Sequence, residues 1–110
     1  MILATRDDIP QREIVEVLGL VRGSSVRARH LGRDIGAVFK NFVGGEIPEY
    51  TKLLAEAREQ ALDRMLEEAR VLGAHGVVAV RYASSEISSA AAEVLVYGTA
   101  VRFADRDGSV

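Results

Sequence analysis

Arginine offers the most chemistry in this sequence. Arg27, Arg29 and Arg33 cluster around Gly32, and Gly44-Gly45 follows a short interval later. Guanidinium forks match carboxylate or phosphate oxygens bidentately, and glycine lets backbone N–H groups approach an anion. With Asp34 as an ionic partner, within the subunit or across a subunit boundary, this stretch reads as an anion pocket or as a structural charge network. It matches neither a P-loop nor a dinucleotide fingerprint, both of which need a defined glycine and lysine spacing. Tyr50 and Arg58 add a phenolic hydroxyl and another guanidinium near the start of a long helix, with Glu56 or Glu59 as the expected partner of Arg58. The candidate ligand-binding set is therefore Arg29, Arg33, Asp34, Gly44, Gly45, Tyr50 and Arg58, placed near a subunit boundary, and the ligand it suits is small and anionic.

Metal chemistry has fewer resources. Soft metals want thiolate, thioether or clustered imidazole, and the chain has no Cys, two Met and two His. His30 and Asp34 stand four residues apart and could share a helix face, although Gly32 between them works against a helix there. Met65 belongs to an apolar helix face and reads as core, and His75 follows a helix stop, where a polar turn residue is expected. A ring of subunits would repeat a weak pair such as His30 and Asp34 around its axis. No catalytic set is expected: Ser24-Ser25 and Ser84-Ser85 lack the strained Gly-x-Ser-x-Gly setting, and Tyr50 and Arg58 have no neighbouring His or Cys to act as base or nucleophile. No cofactor is expected either.

These residues must be positioned by a small number of elements. Tyr50, Leu53, Leu54, Ala57, Ala61, Met65, Ala69 and Leu72 recur at helical spacing, which predicts a helix over Pro48 to Leu72 with Pro48 in its first turn and Gly73 just past its end. Strands are expected at Ile14 to Arg22, Val77 to Ile87 and Glu93 to Phe103, with a short one starting at Ile2 and a hairpin connection somewhere in 84–90. Ile35, Val38, Phe39 and Phe42 predict a short helix over Arg33 to Val43. The expected fold is α+β with an antiparallel-rich sheet, in the order β-β-α(short)-α(long)-β-β. It forms one domain over residues 1–104, followed by a frayed tail at 105–110.

Composition narrows the partners. Residues 1–48 carry seven basic and six acidic side chains, and the formal charge of the whole chain is −2, too near neutral for a general nucleic-acid or membrane-surface binder. No apolar run approaches a membrane span and no signal peptide opens the sequence, so a cytoplasmic protein is expected. Mean hydropathy is nevertheless positive, at +0.09. The strands explain the excess: Leu95, Tyr97, Val101 and Phe103 alternate with Val94, Val96 and Ala100, so both faces of the last strand are apolar. One helix covers one face. A second copy of the chain is expected to cover the other, with Val17, Val77, Val94 and Val96 as candidates for the face it covers.

The wording of several segments is also familiar. Residues 26–37 (VRARHLGRDIGA), 43–46 (VGGE), 50–54 (YTKLL), 57–61 (AREQA), 72–78 (LGAHGVV) and 97–101 (YGTAV) resemble the YbjQ-like family over roughly residues 2 to 104. The resemblance implies an α+β fold of this order assembled as a homopentameric ring, and it brings a heavy-metal-binding label. On this reading the chain's partners are its own copies and a small anionic ligand; a heavy metal, or a purely scaffolding oligomer, are the alternatives.

Overall fold

The computed structural model describes residues 1–28, 48–88 and 91–105. The fold is α+β. In chain order its elements are β1 (Ile2–Leu3), β2 (Ile14–Ala28), α1 (Pro48–Val71), β3 (Gly76–Ser88) and β4 (Ala91–Phe103). The short helix expected over Arg33 to Val43 lies outside the described residues. The four strands form one sheet in the order β1-β3-β4-β2. β3 pairs antiparallel with β4, and β4 with β2, while β1 joins β3 in parallel, so the sheet is mixed rather than wholly antiparallel.

Helix α1 follows from its sequence. Ala57, Ala61, Met65 and Ala69, each four residues from the next, are fully buried on one face, and charged side chains occupy the others. Its end closes as the glycine predicts. Gly73 takes φ +79°, its N–H bonds the Arg70 carbonyl at 2.9 Å, and the Ala74 N–H reaches back to Ala69 at 3.0 Å, the paired bonds of a left-handed helix cap. Three alanines and one methionine make a thin stripe, and a thin stripe permits a close approach to the sheet. At Gly23 that approach is extreme: a Cβ there would run into the Ala61 carbonyl oxygen and the Met65 backbone nitrogen.

This contact explains why β2 runs six residues past the expected end at Arg22. Gly23-Ser24-Ser25 looks like a turn, yet Gly23 and Ser25 are the small residues that fit beneath α1, and the Ser25 hydroxyl donates to Gln60 Oε1 at 2.5 Å. β3 and β4 extend toward each other by one and two residues beyond their expected ends, pairing as far as Ser88 and Ala91.

The face assignment needs one correction. Val77, Val94 and Val96 are not on a face left for another subunit; with Val21, Val80 and Ala100 they form the core beneath this chain's own helix. On the opposite face, Val78, Val101 and Phe103 are covered by Ile2, Ile9 and Ile14 from the N-terminal segment and the start of β2. On that same face Val17, Leu20 and Val26 are exposed, opposite Val101, Thr99 and Glu93, while Tyr97 and Leu95 stand opposite Arg22 and Ser24. Strand alternation identifies two apolar faces, but it does not say which of them receives the helix.

Candidate functional site

The site begins where the N-terminal half of α1 crosses the far end of the sheet. The helix runs antiparallel to β2, so that Glu68 lies by Arg22, Arg64 by Ser24, Gln60 by Ser25 and Glu56 by Arg27. Arg27 is on the helix side of β2. Its Nη1 stands 3.7 Å from Glu56 Oε2, while its Nε is buried without an acceptor. Glu56 therefore serves Arg27 and not Arg58, contrary to expectation, because Arg58 projects from the other flank of the helix. There Arg58 and Leu54 meet Tyr82, Ala83, Ser84 and Val94 around a cleft of about 230 Å³. Tyr82 and Ser84 face α1, since they pair with Val96 and Val94 of the core face. The cleft thus combines aliphatic walls with a guanidinium, a phenol and a hydroxyl. Among the described residues Arg58 has no carboxylate partner. Such a lining suits a small molecule with an apolar body and one acceptor group.

Of the expected ligand-binding residues, Arg58 is the one whose side chain is described. Tyr50 lies in the first turn of α1, and its side chain is outside the description; so are Arg29, Arg33, Asp34, Gly44 and Gly45. The weak metal candidates His30 and Asp34 lie outside as well. Tyr82 and Ser84 were missed as site residues: they lie within the strand expected over Val77 to Ile87, but nothing in its loose outer pattern shows which of its faces meets the helix.

The described residues do not fit a heavy-metal centre. Met65 is fully buried among alanines and valines, and His75 is engaged: its Nδ1 accepts the Phe103 backbone N–H at 3.0 Å. Met65 was expected in the core and lies there, and His75 stands just after the helix stop, as expected of a polar turn residue. Among the described residues no three His, Asp or Glu side chains gather where they could share an ion. No helix among the described residues is long and apolar enough to cross a membrane.

Comparisons with known proteins place the chain. The family profile matching residues 1–104 is described as "Putative heavy-metal-binding". A UPF0145 protein of Thermus thermophilus is 55% identical over 102 residues, covering 93% of this chain and 90% of the relative. Its counterpart in Archaeoglobus fulgidus is also 55% identical, covering 93% and 94%. A crystal structure of a DUF74-family protein from Pediococcus pentosaceus superposes with a TM-score of 0.61 over 94% of this chain and 97% of that one; at 17% identity it shows a shared fold. With a family profile spanning the whole α+β unit and relatives identical at more than half of the aligned positions, the chain belongs to the YbjQ family, also called UPF0145.

Proposed function

We propose that the chain works as a cytoplasmic homo-oligomer, taken as a ring of five, that holds a small anionic ligand. The observation that carries this reading is the helix-free sheet face, on which Val17, Leu20 and Val26 stand 67%, 63% and 54% exposed, with Tyr97 exposed on the neighbouring strand. Val17, Leu20 and Val26 are each large apolar side chains more than half exposed on one sheet face, and a covering copy removes that exposure. The number five follows from the resemblance to YbjQ-like proteins, and the cysteine-free composition suits a reducing compartment. For the ligand, support comes from Arg58 beside its apolar cleft and from the basic, glycine-flanked stretch that follows β2.

Native mass spectrometry tests assembly and ligand together. The expected species is five times the 11.9 kDa subunit and retains a small molecule. A mass of 11.9 kDa at micromolar concentration removes the assembly, and a bare oligomer leaves a scaffold. The heavy-metal alternative draws on the family's description and on His30 with Asp34. Titration with zinc, copper and nickel that gives no heat and leaves Tm unchanged removes it.

A further inference from the structure

A second group of cationic and donor side chains lies at the opposite end of α1 from Arg58, about 18 Å away along the helix at 1.5 Å per residue. Its centre is Arg12, held just before β2 by a bond from its N–H to the Ile9 carbonyl at 2.9 Å. The Arg12 guanidinium carbon sits 4.9 Å from the centre of the buried Phe103 ring, and its Nε is buried with no acceptor. A guanidinium has five N–H donors and no acceptor, so the π-face balances part of its charge while the buried Nε–H bond is left unmade. His75 stacks by the same ring, with centroids 6.4 Å apart. Because its Nδ1 accepts the Phe103 N–H, its ring hydrogen is on Nε2, a donor not used by that bond. Arg70, in the last turn of α1, is the third member, and it shares its charge with Glu67 at 3.0 Å.

Arg12, Arg70 and His75 line one cavity of about 510 Å³ with Met1, Ile2 and Ala74. No Asp or Glu lines it among the described residues. Ile2 and Arg12 also line an adjoining cavity of about 630 Å³ with Ile9, Pro10 and Gln11, so Arg12 stands between two open spaces. Nearby Arg102 is occupied elsewhere, by the Gly73 carbonyl and by Glu16. We propose that Arg12, His75 and Arg70 form an oxyanion site that takes the carboxylate or phosphate head of a small organic molecule, with Ile2 and Ala74 against its apolar body. At Arg12 and His75, donors without acceptors select an anion, Arg70 adds a guanidinium already shared with Glu67, and Phe103 fixes Arg12 and His75 before the ligand arrives, so little side-chain freedom is lost on binding. This site is independent of the Arg58 cleft.

The test is an NMR titration of the full chain with inorganic phosphate and, separately, with succinate, following the Phe103 amide and the His75 ring. The expected result is a saturable shift at both signals with at least one probe. The stronger probe identifies the head group as phosphate or carboxylate. Arg12→Met, which keeps an aliphatic stem over Phe103, should weaken binding about tenfold or more, whereas Arg6→Met, a charge-matched change at an exposed residue, should not. The absence of a saturable shift with either probe overturns the proposal in the wild-type chain alone. Equal binding by Arg12→Met and wild type overturns it as well.

Discussion

Gly23 fixes how close α1 can come to β2, because what a side chain would strike there is helix backbone, which cannot swing aside as a side chain can. Gly23→Ala should therefore destabilise the fold by about 1–3 kcal/mol, the range of core overpacking, read as a lower urea midpoint; an unchanged midpoint contradicts the contact. Ala79 predicts the opposite sign. It lies at φ 55°, in the region that L side chains disfavour, where a register shift lets its N–H bond the Arg6 carbonyl at 2.9 Å. Relief of the Cβ clash in Ala79→Gly, partly offset by extra freedom in the unfolded chain, should raise stability by up to about 1 kcal/mol. A lowered melting temperature would count against it. Met65 and His75 could be read from the sequence, because residue type and position agreed. Gly23 and Ala79 could not: a glycine before two serines has the composition of a turn, and nothing in an alanine codes for positive φ.

At the level of elements, α1 was readable almost to the residue, from Pro48 to the glycine cap, because its four-residue repeat and both terminal signals coincide. What the repeat does not reveal is the work of its charged flank. Arg64 Nη1 donates to the Ser24 carbonyl at 2.6 Å, and the Arg22 N–H donates to Glu68 Oε1 at 3.2 Å, so helix side chains satisfy outward-facing backbone groups of edge strand β2. Unpaired edges invite association with other strands. Glu68→Ala should speed hydrogen exchange at the Arg22 amide and cost about 1 kcal/mol. Unchanged protection of that amide would show that the carboxylate does not hold it. β3 and β4 were readable to within two residues, whereas the far end of β2 was not, since its Gly23-Ser24-Ser25 segment becomes strand through partners far away in sequence.

For the whole molecule, the excess of apolar residues was visible in composition, and its division between two sheet faces in strand alternation. Which face the helix takes depends on the thin alanine stripe meeting Gly23, and that match joins segments far apart in the chain. Val17 was correctly placed on the open face; Val77, Val94 and Val96 were not. On the proposed assembly, Leu20→Arg places a charge on that face at a residue 63% exposed in its own subunit, so the variant should run as an 11.9 kDa species with an unchanged circular dichroism spectrum where the wild-type chain runs as the oligomer. Light scattering checks the mass, and persistence of the oligomer argues that subunits meet elsewhere.

The bonds that Arg64 and Glu68 make to β2 bear on symmetry. Strand addition at that edge would have to displace both of them. Among the described residues, the stretch of β3 from Tyr82 to Ser88 pairs with β4 and with no second strand, and two copies joined through that edge alone would form a closed pair. Any odd-numbered ring must instead be heterologous, with the sheet face of each subunit seated on a different surface of the next. One substitution on either surface would then be repeated at every boundary, and the ring would open everywhere at once rather than at a single seam.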